Sequence, residues 1–257
     1  MRVSLVQLDV DPEVPAEDRL TEVAALVRGR AGDHLVVLPE LWLHTGWVYE
    51  GWAAGAEGVS GRVAQTMSRA ARDAGVWLHA GSIIERGVDD NLYNTSLVFD
   101  SDGALRGTYR KIHRFGFTGG EATLISRGTE TVQVRMPWAE VGLATCYDLR
   151  FPEMFRRILD TGAEVLVIPA AWPARRVEHW RVLARARAIE NQMFVLACNV
   201  TGSQGGQGMG GHSMVIDPWG EIVAEAGAEQ TVLSAEIDPA LVAKTRQDFP
   251  VLQNRVF

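Results

Sequence analysis

Cysteine is scarce in this chain, with only Cys146 and Cys198 among 257 residues. Two thiols cannot build a disulfide framework, so a packed core must hold the fold. Positive charge is in deficit as well: 25 Lys and Arg stand against 32 Asp and Glu, a formal net charge of −7. That balance argues against nonspecific binding to nucleic acid or anionic membranes, while leaving room for a local basic pocket. No apolar run approaches the ~20 residues needed to span a bilayer. The apolar part of residues 1–8 is too short for a secretion signal, and acidic residues follow it. A reduced, cytoplasmic location is therefore expected. Also missing are a G-x-S-x-G elbow, a phosphate-binding loop and a His-x-x-x-His pair. There is no internal repeat, linker or low-complexity segment, and one domain over residues 1–257 is expected.

What is present is an ordinary globular composition, 47% hydrophobic and 22% charged, long enough for a substantial α/β core. Apolar spacing predicts strands over 2–8, 34–38, 76–84, 93–99, 105–109, near 132, and over 141–145, 164–168, 193–199, 212–216, 222–224 and 232–237. It predicts helices over 16–30, 60–74, 152–160 and 177–192, with Pro152 suited to a first helical turn. Residues 42–58 hold three tryptophans and several glycines and read as a loop over a site. Residues 111–128 are glycine-rich and irregular. The stretch from Pro239 has few strand signals and is expected to reach across to a partner. The alternation of elements suggests mixed sheets with helices on their outer faces.

Cys146 ends the apolar run 141–145 and is followed by a charged turn, Pro152 and a helical pattern. A thiol there stands at a sheet's carboxyl edge beside a helix N-terminus, where nucleophiles are displayed and thiolates are favoured. The competing reading of any lone cysteine is a small buried apolar residue. A nucleophilic thiol needs a proton acceptor. None of the six histidines lies in a context that compels a Cys-His pairing. Glu40 ends the buried run 35–38 in an apolar loop, where a carboxylate can serve as general base and then acid. Lys111 follows the run 105–109, and an ammonium beside sulfur can favour a thiolate or stabilise an oxyanion. Taken singly, Glu40 is a solvated strand end and Lys111 a surface charge. Three such groups at three strand ends are what a site at one sheet edge requires. Cys198 lies within a strand pattern and reads as core. The run Gly206-Gln207-Gly208-Met209-Gly210-Gly211 matches G-x-G-x-x-G, but a strand pattern follows it, so the dinucleotide reading fails its context test.

Leu38-Pro39-Glu40-Leu41-Trp42, Tyr109-Arg110-Lys111-Ile112-His113 and Thr145-Cys146-Tyr147-Asp148-Leu149-Arg150-Phe151-Pro152-Glu153 resemble, in order, the three signatures of the nitrilase (carbon–nitrogen hydrolase) superfamily. Ala171-Trp172-Pro173-Ala174-Arg175-Arg176, His179-Trp180 and Ala186-Arg187-Ala188-Ile189-Glu190-Asn191-Gln192 resemble its bacterial ω-amidases, as does the stretch 211–222. The resemblance implies an αββα sandwich, active as a homodimer or higher homo-oligomer, with no metal or organic cofactor. It implies that Cys146 attacks an amide carbonyl to form a thioester and that Glu40 is the proton carrier. Lys111 and the backbone N–H of Tyr147 would hold the oxyanion. A second glutamate often completes such sites, and Glu121 is the candidate, against its reading as a plain loop acid. ω-Amidases act on short 2-oxo acid amides, so a carboxylate must be bound. Arg176 is the candidate by motif position, against its reading as a surface arginine, with Arg175 pointing elsewhere. Trp42, Trp47 and Trp172 are expected to wall the pocket. The expected partner is a small-molecule amide, with no nucleic acid and no membrane. The alternatives are an N-carbamoyl-amine or deaminated-glutathione amidase, or a binding protein that kept the fold without turnover.

Overall fold

The computed structural model describes residues 1–256. The first half of the chain gives β1 (Arg2–Gln7), α1 (Ala16–Arg28), β2 (Leu35–Val37), the short α2 (Trp52–Gly55), α3 (Arg62–Ala74), β3 (Trp77–Arg86), β4 (Leu92–Phe99), β5 (Leu105–Arg110) and the short α4 (Glu121–Leu124). The second half gives β6 (Val132–Met136), β7 (Ala139–Leu143), α5 (Pro152–Asp160), β8 (Val165–Ala170), α6 (Val177–Asn191) and β9 (Phe194–Asn199). A small ribbon of β10 (Ser203–Gln204) and β11 (Gln207–Gly208) follows, then β12 (Met214–Ile216), β13 (Ile222–Glu225), β14 (Thr231–Glu236) and α7 (Ala240–Asp248).

Two six-stranded sheets result, in the orders β14-β1-β2-β3-β4-β5 and β13-β12-β9-β8-β7-β6. Each has a parallel centre, β1-β2-β3 in one and β7-β8-β9 in the other, with antiparallel strands outside it. The central strands are buried on both faces, which is why they read as continuous apolar runs. Alternate residues of one strand feed two different cores. Val3, Leu5, Leu35 and Val37 join Val141, Leu143, Val165 and Val167 of the other sheet. Val6, Val36 and Leu38 instead pack under Leu20, Val23 and Met67 of α1 and α3. Phe155, Ile158, Trp180 and Ala184 of α5 and α6 cover the second sheet. This is the αββα sandwich. Among the described residues no helix is long and apolar enough to cross a membrane.

The helix from Pro152 to Asp160 forms as the sequence predicts, with Pro152 in its first turn. The C-terminal stretch, expected to reach across to a partner, makes contacts within its own chain. The residues after Pro239 form α7, with Val242 and Thr245 buried. Arg246 donates to the Ala163 carbonyl at 3.0 Å, and Arg255 pairs with Asp160 at 2.6 Å. This segment packs on its own chain. The glycine loop 206–211 leads into β12, not a helix.

The strand directions position the site. β2, β5, β7 and β8 all end at the same edge of the stacked sheets, and the segments that follow them carry Glu40, Lys111, Cys146 and Trp172.

Candidate active site

Cys146 opens a short 3-10 turn, Cys146–Arg150, three residues beyond the end of β7. Its φ is +48°, a left-handed conformation that costs a non-glycine residue about 1–3 kcal/mol and persists only where its surroundings hold it. Asp148 does the holding. Thr145 and Asp148 form a reciprocal cap, with the Thr145 N–H donating to Asp148 Oδ2 at 2.8 Å. The same fully buried carboxylate accepts from the Tyr109 hydroxyl at 2.7 Å and the His113 N–H at 2.9 Å, and it meets His113 Nδ1 at 2.8 Å. The cysteine turn is thereby fastened to the segment carrying Lys111. The amides of Cys146 and Tyr147 lie in the first turn, where no acceptor exists within the helix.

Lys111 Nζ lies 2.7 Å from Glu40 Oε1 and 2.7 Å from Glu121 Oε2. Asn94 Nδ2 donates to Glu40 Oε1 and to Glu121 Oε1, each at 2.8 Å. The Ala171 N–H donates to Glu40 Oε2 at 2.8 Å and the Phe115 N–H to Glu121 Oε2 at 2.7 Å. All four side chains are buried. Burial works against the Lys111 ammonium, but Glu121 and Glu40 outweigh it, and the lysine is held well above its ordinary value. Burial raises Glu121, with Lys111 opposing and Glu40 reinforcing the shift. Cys146 is 8% exposed. Burial, then the charge of Glu40, push its thiol well above the ordinary range, and Lys111 does not reverse this. The expectation that the turn and the lysine would favour a thiolate is therefore corrected: burial and Glu40 together favour the neutral thiol.

One pocket gathers Glu40, Lys111, Glu121, Cys146, Tyr147 and Trp172, along with Arg150 and Arg176. The volume open to the centre of a water-sized sphere is about 30 Å³, room for about two ordered waters. Phe115 and Trp47 form part of the wall, and the Arg176 guanidinium lies 5.4 Å and 5.9 Å from their ring centres. Arg150 lies 4.7 Å from the Trp172 ring centre and 3.2 Å from His179 Nδ1. Neither arginine pairs with a carboxylate among the described residues. Burial, then Arg175 and Arg150, lower the Arg176 pKa, so the pocket holds uncompensated positive charge. Among the described residues no cluster of His, Cys, Asp and Glu is arranged to hold a metal ion.

The sequence matches the carbon–nitrogen hydrolase family over residues 2–247. The chain belongs to that family. The hydrolase is 44% identical to the 2-oxoglutaramate amidase of Paenarthrobacter nicotinovorans, over 98% of this chain and 88% of the relative. It is 35% identical to the omega-amidase NIT2 of Mus musculus, over 99% and 94% of the two chains. Among solved structures, the CN-hydrolase superfamily protein XC1258 from Xanthomonas campestris superposes with a TM-score of 0.91. It is 32% identical, with 100% of this chain and 97% of that one covered.

One residue expected in the wall of the hydrolase's pocket is not there. Trp42 is fully buried and donates its indole N–H to the Ala80 carbonyl at 2.9 Å, so it belongs to the core beneath the site. Trp47, also expected there, does line the pocket, with its N–H on the Ala171 carbonyl at 2.9 Å. Trp172 lines it as expected and donates to the Arg176 carbonyl at 2.7 Å. Sequence reasoning missed Asn94, Asp148 and Arg150 as parts of the site. The last two lie inside the cysteine signature, so their place beside Cys146 was available as a signal. Asn94 sits in mid-strand and gave none.

Proposed function

We propose that this hydrolase is a thiol amidase that removes ammonia from the terminal amide of a short, carboxylate-bearing substrate, with 2-oxoglutaramate and 2-oxosuccinamate as the first candidates. Glu40 takes the thiol proton as Cys146 Sγ attacks the amide carbonyl carbon. Because the thiol is neutral at rest, attack and proton transfer proceed together. The C=O electron pair moves onto oxygen, and Lys111 Nζ and the Tyr147 N–H stabilise that oxyanion. As the intermediate collapses, Glu40 returns the proton to nitrogen, the C–N bond breaks and ammonia leaves. The acyl group remains on sulfur as a thioester. Glu40 then takes a proton from a water whose oxygen attacks the thioester carbonyl; the C–S bond breaks, Glu40 passes that proton to sulfur to restore the thiol, and the acid leaves as a carboxylate after losing its own proton to solvent. Glu121 keeps Lys111 aimed at the oxygen on which the charge develops.

The observation that carries this reading is the convergence of Cys146, Glu40, Lys111 and Glu121 in one pocket with two guanidiniums that have no carboxylate of their own. The pocket is polarised, and a substrate carboxylate is matched by Arg150 and Arg176 while the neutral amide end meets the glutamates. The names of the relatives support the same substrate class. One domain over residues 1–257 is supported by the match over 2–247, and Phe257 lies outside the described residues. Two free thiols fit a reducing cytoplasm, and a homodimer follows the resemblance.

The test is ammonia release from 2-oxo acid ω-amides, dicarboxylic monoamides and N-carbamoyl amines, and release of the peptide amine from deaminated glutathione, with Cys146→Ala as control. Turnover greatest on the 2-oxo ω-amides and lost in Cys146→Ala is expected. Undiminished release in that variant refutes the thiol reading. Silence across the panel favours a binding protein.

A further inference from the structure

Asn94 is the one residue of the buried cluster to which the mechanism gives no step. It is 1% exposed in the middle of β4. Its backbone carbonyl accepts the Lys111 N–H at 2.8 Å, so it sets where the lysine leaves β5. Its Nδ2 reaches two carboxylates at once, while its Oδ1 is buried with no partner. That orientation follows from charge: turning the amide over would set its oxygen against both carboxylates. An orphaned buried acceptor is unfavourable for stability, so a residue selected for packing alone has no reason to be an asparagine here.

The lone pairs of Glu40 show what the amide does. A carboxylate oxygen offers two acceptor sites. On Oε1 both are taken, one by Lys111 and one by Asn94. Oε2 accepts only the Ala171 N–H and keeps one site open. A proton arriving from sulfur can bind Oε2 without breaking an existing bond, whereas binding Oε1 requires that Asn94 or Lys111 let go. The second Nδ2 hydrogen holds Glu121 Oε1 and leaves Glu121 Oε2 turned toward Lys111.

We infer that Asn94 is a positioning residue that selects the proton-accepting atom of Glu40: it closes Oε1 to the proton, leaves Oε2 as the base, and keeps the two glutamates in separate roles. The inference rests on the thiol-amidase reading of the same site. Each bond it makes favours an ionised carboxylate, so removing it moves the acidic limb of activity to higher pH.

The experiment compares wild type with Asn94→Leu, which keeps the bulk and removes the donor, and Asn94→Asp, which adds a third acid. The readouts are the pH profile of kcat and the pH dependence of Cys146 alkylation by iodoacetamide, followed by peptide mass. In Asn94→Leu, kcat should fall about ten- to hundredfold with KM little changed, and both acidic limbs should rise by about one pH unit. Asn94→Asp should raise them further. A readout free of any folding penalty is the side-chain amide resonance of Asn94 in the wild-type protein, which should titrate with the wild-type alkylation midpoint. Unmoved limbs in a folded variant, or an amide that does not follow that midpoint, overturn the inference. Ammonia release that survives in Cys146→Ala would instead overturn the thiol reading, so the two failures are distinguishable.

Discussion

Asp148→Ala removes the buried carboxylate from which the Cys146 turn hangs. Three donors lose their acceptor: the Thr145 N–H and the Tyr109 hydroxyl, both buried, and the half-buried His113 N–H. Each orphaned group costs about 1–3 kcal/mol, and water entering the space left behind recovers part of that. A loss of about 3–5 kcal/mol is expected, in line with breaking other buried charged networks. For a chain of this size that is a fall of roughly 6–20 °C in Tm. Function should suffer separately. Once the cap with Thr145 is gone, nothing compels Cys146 to keep a φ of +48°. Relaxation to negative φ swings both Sγ and the Tyr147 N–H, and misplacement of about 1 Å costs about a hundredfold in rate. The assay is thermal denaturation beside ammonia release well below the variant's Tm, with Asp148→Asn as the same-shape control expected to lose less of both. A variant that melts with wild type and turns over at the wild-type rate refutes this account of the turn.

Arg176→Ala should raise KM about ten- to hundredfold for carboxylate-bearing amides and much less for neutral ones, read from steady-state kinetics on matched pairs; equal effects remove Arg176 from substrate recognition. Trp42→Ala should cost about 3–5 kcal/mol of stability as a core truncation, whereas Trp47→Ala should chiefly raise KM. The reverse pattern contradicts the assignment of one to the core and the other to the pocket. His79 is fully buried, and burial lowers its pKa from 6.5 to about 4. The unfolded chain binds the proton first as pH falls, so stability present above about 6.5 is lost progressively down to about 4, about 3 kcal/mol in all. His79→Leu should flatten that part of the denaturation-versus-pH curve, and an unchanged slope refutes the sign.

The legible part of the fold was its centre. β2, β8 and β9 are buried on both faces, so they announce themselves as unbroken apolar runs. Glu40 and Cys146 were legible because each follows a buried apolar run; Lys111 follows the largely exposed β5 and was legible through its motif, and the three motifs added a known order. α7 was not legible: its buried positions are Val242 and Thr245, too few to make an apolar stripe, and its docking depends on carbonyls far off in sequence. Trp42 and Trp47 show the limit of composition. Both stand in an aromatic loop, and only the fold around Ala80 and Ala171 decides which indole faces inward. Asn94 reads as one more residue of a strand, because its carboxylate partners come from 54 and 27 positions away. The thiolate expectation failed for a related reason: burial and the charge of Glu40, invisible in sequence, outweigh the lysine.

The central claim is that the acyl group of a small amide passes through Cys146. Acid-quenching the enzyme within the first turnovers on 2-oxoglutaramate and weighing its peptides tests this most directly. The account predicts a peptide containing Cys146 heavier by the acyl group, lost on treatment with hydroxylamine and absent from Cys146→Ala. Ammonia released while every peptide keeps its unmodified mass, or an acyl group found on another residue, would contradict it.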